Sequence, residues 1–229
     1  MPLFSVNESA IRSEKLRDFE KLLASVAEAA RNDTKTGAWT TCTTAIGPFG
    51  VVQIVMQSES FAAQAKIEPG DQLFRRLFGE RKGNEPLQSW LECVSGGRLH
   101  VLRDRPELSY PAPRGRPRAF IMLTRLQAIP GGGESLEEFL RRYAEAIPKT
   151  DDPRRFVTLQ PYFGNLREYA TAVALDHPEQ LDAMASPAEL LTQAFGAAEG
   201  GLISRTGLCA IESAARELLV LREDLSHIV

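Results

Sequence analysis

Sliding the chain along itself by 117 positions superposes its two halves without a gap, and a duplicated chain must build its fold from two copies of one unit. Residues 22–30 fall on 139–147, matching Leu23 with Leu140, Ala27 with Ala144, Glu28 with Glu145 and Ala29 with Ala146. Thr41 meets Thr158 and Gly47 meets Gly164. Leu73, Phe78, Gly79, Gly83 and Leu91 meet Leu190, Phe195, Gly196, Gly200 and Leu208. At the ends, Leu102, Arg105, Leu108 and Ser109 fall on Leu219, Arg222, Leu225 and Ser226. The copies span residues 1–109 and 118–229, and the Pro-, Gly- and Arg-rich stretch 110–117 between them has the composition of an extended linker.

Each element is therefore read twice. In the second copy 119–126 is a short apolar strand, followed by a Pro-Gly-Gly-Gly break and a helix that Ser135 would cap with Glu138 three residues on. The first copy has a strand at 3–6 and a helix over 14–31, with Leu16, Phe19, Leu22, Leu23 and Val26 on one face. Two strands around Gly47 (38–46 and 51–57) and two around Gly164 (155–163 and 169–175) read as hairpins. Helical signals follow at 61–66, 71–78 and 86–94, matched by 178–184, 187–195 and 202–213, then a last strand at 98–103 and 217–222. The order is βαββαβ in each copy, so the fold class is α+β: two tandem ferredoxin-like modules that can bury their bare sheet faces against each other.

Composition limits the partners. With 229 residues, a net charge of −3 and 43% hydrophobic residues, the chain is expected to be globular and cytoplasmic, without nucleic acid or membrane as a partner. Cys42, Cys93 and Cys209 form no CxxC pair and read as reduced thiols. His100, His177 and His227 form no metal-ligand cluster, so neither a metal nor a cofactor is expected. The glycines at 131–133 lack the spacing of a dinucleotide or phosphate loop, and no GxSxG elbow marks a hydrolase.

The element order, the hairpin glycines Gly47 and Gly164, the segments 51–63 and 168–184, and the duplication together resemble the dimeric α+β barrel superfamily. It includes antibiotic-biosynthesis-monooxygenase-like and NIPSNAP-like proteins. The resemblance implies an eight-stranded barrel made by one polypeptide as a pseudo-dimer, with small molecules bound between a sheet and its own helices. Chlorite-dismutase-like haem proteins share that design, but their haem needs a histidine on the second module's helices, where this chain has none.

The site residues expected on these grounds are few. Trp39, Thr41 and Thr43 share one face of a threonine-rich strand and, with Trp90, Tyr162 and Tyr169, are the candidate lining of a ligand cavity; strand propensity and core packing explain the same residues. His177 is the weak catalytic candidate, after Asp176 as a helix cap. The leading expectation is a barrel that binds a small hydrophobic or aromatic ligand, with cofactor-independent monooxygenase- or cyclase-like chemistry as its finer form. The alternative is a non-catalytic assembly barrel. Whether the chain is an enzyme, and whether it is a homo-oligomer, stays open at this level.

Overall fold

In the computed structural model, residues 2–80, 82–111 and 118–228 are described. Most of the linker at 110–117 lies outside them, including Arg114 and Arg116. The first copy runs β1 (Leu3–Ile11), α1 (Leu16–Arg31), β2 (Thr40–Ile46), β3 (Val51–Ser58), α2 (Phe61–Gln64), α3 (Gly70–Phe78), α4 (Asn84–Cys93) and β4 (Val94–Asp104). The second runs β5 (Phe120–Ala128), α5 (Gly133–Ala146), β6 (Phe156–Pro161), β7 (Glu168–Leu175), α6 (Pro187–Cys209) and β8 (Ile211–Leu221). The eight strands close a barrel in the order β1-β3-β2-β8-β5-β7-β6-β4. Within each copy the hairpin pairs antiparallel, with Thr41 opposite Ile54 and Thr158 opposite Thr171.

The compact units cut across the copies: one holds residues 1–102 and 219–229, the other 103–218. The end of each copy thus folds into the unit built by the other. The contacts that hold it there are the same in both units. In the first unit Thr41 donates its backbone N–H to Ser226 Oγ (2.8 Å) and its Oγ1–H to the Leu225 carbonyl (2.8 Å), while Arg222 N–H returns to the Thr41 carbonyl (2.8 Å). In the second, Thr158 N–H donates to Ser109 Oγ (2.8 Å), Thr158 Oγ1–H to the Leu108 carbonyl (2.6 Å), and Arg105 N–H to the Thr158 carbonyl (2.9 Å). Each arginine then pairs with a glutamate on the first helix of its unit: Arg222 with Glu20 at 2.6 Å and Arg105 with Glu137 at 2.8 Å. Buried backbone groups need such partners, and the retained Thr, Arg, Leu and Ser supply them twice.

Helices cover one face of each sheet, and the space beneath them is packed. In the second unit Phe139, Leu140, Phe156, Leu190 and Leu191 belong to one cluster, and in the first Phe19, Leu23, Val52, Phe74 and Trp39 fill the same role across two. Helices α3 and α4 meet at Gly79 (φ 86°), and α6 consists of two helical halves that kink at Gly196 (φ 82°), both glycines with left-handed backbone. Four residues on, each of these helix pairs doubles back tightly: a Cβ on Gly83 would sit 2.5 Å from Arg75 Cα, and one on Gly200 would collide with the Leu191 backbone.

Several elements differ from the sequence reading: β1 runs on to Ile11, β4 begins at Val94, and the helical segment expected at 178–184 is a short turn over Pro178–Leu181. Helix α5 begins at Gly133, not at Ser135: Leu136 N–H reaches back to the Gly132 carbonyl (3.0 Å), and Ser135 lies inside the first turn. The capping box is instead at the start of α6, where Ser186 and Glu189 exchange side-chain bonds to each other's backbone N–H. Last, α6 stops at Cys209 and β8 starts at Ile211, although Glu212, Ala214, Ala215 and Arg216 are good helix formers. Pairing within the sheet overrides their propensity.

Candidate functional site

The loop after β5 is tied at both ends. Ile129 N–H donates to the Ala210 carbonyl (2.9 Å) where α6 passes into β8, and Gly132 N–H turns back to the Ile129 carbonyl (2.9 Å). Gly131 has φ 78°, a conformation costly to other residues, and a Cβ on Gly132 would press on Ile129 Cγ1 at 2.6 Å. Gly207 lets α6 lie on α5, since a Cβ there would run into the Phe139 ring. Between these elements lies a pocket of about 540 Å³ lined by Ile129, Pro130, Gly131, Gly132, Ser135, Arg205, Thr206, Cys209 and Ala210. Its floor is apolar and backbone. Two hydroxyls, one thiol and one guanidinium point chemistry into it, and no carboxylate or imidazole is among the lining residues.

The first copy treats the same place differently. Arg12 N–H makes the equivalent tether to the Cys93 carbonyl (2.9 Å), but Arg12, Ser13, Glu14 and Lys15 stand where the second copy has Ile129, Pro130, Gly131 and Gly132. The Arg12 side chain then crosses to α4, donating Nε–H to the Glu92 carbonyl (3.1 Å). The first unit has a pocket of its own, about 470 Å³, lined by Lys35, Ala65, Lys66, Ile67, Glu68, Pro69, Gln72 and Arg76. Arg76 is committed there to Glu68, Thr36 and Asp33. The Thr36 hydroxyl and the Arg76 guanidinium hold the Asp33 carboxyl down at about 2.

Neither pocket is lined by the residues expected from sequence. Trp39 is buried, donating Nε1–H to the Leu225 carbonyl (3.0 Å) beside His227, and Thr41 is engaged with the same segment. Thr43 is half-buried opposite Val52, and Trp90 packs on Phe19 with ring centres 4.7 Å apart. Tyr162 lies exposed beside Phe163 after β6. Tyr169 is buried and donates its hydroxyl to Glu137 Oε1 (2.8 Å); burial and that carboxylate push the phenol up to about 12, so it stays protonated. His177 is exposed and itself occupies the cap position of a short turn, where sequence placed Asp176; Gln180 Oε1 accepts its backbone N–H.

The chemistry of a metal or haem is not built from these residues. Among the described residues no three His, Cys, Asp or Glu side chains gather to hold a metal ion. Helices α5 and α6 carry no histidine, and Phe139, Leu140, Leu190 and Leu191 occupy the space a haem would need between helices and sheet. The residues do not fit that group. Among the described residues no helix is long and apolar enough to cross a membrane.

No family model matches the chain and no curated protein matches it. Solved structures do. A monooxygenase candidate from Lactobacillus acidophilus NCFM superposes with a TM-score of 0.58 at 8% identity, over 96% of this chain and 93% of the other. An anthrone oxidase-like protein gives 0.56 at 14% identity over 97% and 92%. The chlorite dismutase of Candidatus Nitrospira defluvii gives 0.54 at 10% identity over 98% and 93%. At these identities the likeness is one of fold, since one fold hosts many chemistries.

Proposed function

We propose that this chain, which has the dimeric α+β barrel fold, is a small-molecule-binding protein whose site lies in its second copy, between the 129–132 loop and the end of α6. The observation that carries this is the pocket of about 540 Å³, a size within the range of ligand sites, opened by a Pro-Gly-Gly-Gly loop that the first copy lacks. Its apolar wall of Ile129, Pro130 and Ala210 suits a small hydrophobic or aromatic body, and Ser135 and Thr206 supply hydrogen bonds to orient it. The structural neighbours, which include a monooxygenase candidate and an anthrone oxidase-like protein, lend the fold a precedent for work on small molecules. Binding is proposed here without a catalytic step, because no base lines the pocket.

The test is a fragment panel read on backbone amide NMR signals. Fragments are expected to shift the amides of 129–135 and 205–210, and to stop doing so in Thr206→Phe, which projects a ring into the pocket. A panel without any such response, or with responses confined to other regions, would reject the proposal in favour of an assembly barrel. A ligand that binds only the folded chain must also raise its thermal midpoint.

A further inference from the structure

Resting on the second-copy site just described, we infer that its ligand is an amphipathic anion, an apolar body carrying one carboxylate or phosphate, and that Arg205 is the residue that selects the charge. Arg205 is the one charged side chain among the nine that line the pocket. It is exposed, and it makes no hydrogen bond or ion pair with a described residue. Other arginines of the same unit are committed to carboxylates. Arg105 binds Glu137 and Glu107, Arg142 binds Glu145 and Glu199, Arg154 binds Asp152, and Arg167 binds Glu212.

A guanidinium is a fork of donors without an acceptor, and it matches a carboxylate or phosphate through two parallel hydrogen bonds. Ser135 and Thr206 add hydroxyl donors in the same pocket. Nothing in the lining competes, because Asp and Glu are missing from it. The duplicated copy sharpens the point. At the positions equivalent to Ser135, Arg205, Thr206 and Cys209 the first copy has Asp18, Gln88, Ser89 and Glu92, two carboxylates and no cation; its cations Arg12 and Lys15 stand instead where Ile129 and Gly132 line the second-copy pocket. The second copy thus sets a cation on the helix beside an open loop, and the first does not. Ile129, Pro130 and Ala210 beside the charge mean that an inorganic ion would leave the apolar wall uncovered, which favours an organic anion.

Cys209 is a reporter built into the same wall, and the other two cysteines are buried. Its alkylation by iodoacetamide, followed at that residue by mass spectrometry, is slowed by anything that fills the pocket. Benzoate and benzamide are matched probes that differ in charge, and phenylphosphonate separates phosphate-like from carboxylate preference. Benzoate or phenylphosphonate is expected to protect Cys209 at a concentration at least tenfold lower than benzamide. Arg205→Gln is expected to remove that advantage, so that benzoate and phenylphosphonate protect Cys209 no better than benzamide does. Equal protection by charged and neutral probes, or an advantage that survives Arg205→Gln, would overturn the anion assignment while leaving the binding site in place. Failure of every probe to protect Cys209 would overturn the site and the anion assignment together.

Discussion

Thr41 and Thr158 show what a single residue does in this chain. Each is fully buried, and each spends its hydroxyl on a carbonyl of a segment far along the sequence, Leu225 for one and Leu108 for the other. Valine keeps the shape and loses the donor. In Thr158→Val the Leu108 carbonyl loses that partner, at a cost of about 1–3 kcal/mol. In Thr41→Val the Leu225 carbonyl still accepts from Trp39 Nε1–H, so Thr158→Val is expected to lower the urea midpoint more than Thr41→Val. Equal losses would show that the Trp39 bond does not compensate. The matched threonines were legible in the sequence as identities, but their partners were not, since no local pattern links residue 41 to residue 225. Trp39 and Tyr169 teach the same lesson: aromatic and hydroxyl groups that suggested a cavity are held by the Leu225 carbonyl and by Glu137. Arg205 went unnoticed for the opposite reason, as a lone arginine on a helix gives no signal until the loop beside it is placed.

At the scale of elements, the helix pairs carry the clearest reading of the repeat. Gly79 and Gly196 have left-handed backbone at the turn between helices, and Gly83 and Gly200 stand where the second helix touches the first. The backbone of Leu191 cannot give way as a flexible side chain would, so Gly200→Ala is expected to cost about 1–3 kcal/mol from overpacking. Its neighbour is the control. A Cβ on Gly201 meets nothing within 4 Å, and Gly201→Ala in the same helix is expected to stabilise by up to about 1 kcal/mol. Thermal midpoints moving in opposite directions for adjacent glycines would confirm that close approach, and not helix propensity, keeps Gly200. The strands were harder to read at their ends. Glu212–Arg216 looks helical by residue type, and only its place beside β5 in the barrel makes it a strand.

For the molecule as a whole, the two arginine clasps predict its response to acid. The bonds from Arg105 hold the Glu137 carboxyl below its usual value against the opposing effect of burial, and Arg222 does the same for Asp224. A depressed carboxylate adds stability that is fully present above the unfolded value and is lost as pH falls through the folded one. Stability is therefore expected to hold between pH 7 and about 5 as far as these groups decide it, and to fall below about pH 4. Urea titrations across that range would show it, with Arg105→Gln giving a lower midpoint at pH 7 and a shallower acid limb. A limb of the same slope in that variant would place the acid response elsewhere.

The sequence by itself determined the α+β class and the βαββαβ order of each half, because periodic apolar faces and turn glycines are local signals, while the closed barrel was what the resemblance to the dimeric α+β barrel superfamily implied. Tertiary structure decided the rest. That the tail of each copy folds into the unit of the other, that Trp39 and Tyr169 serve packing, and that a pocket opens beside Arg205 all depend on contacts between residues distant in sequence. Such contacts leave no periodic trace in the chain, and the retained Thr, Arg, Leu and Ser recorded them only as matches whose purpose the folded chain makes visible.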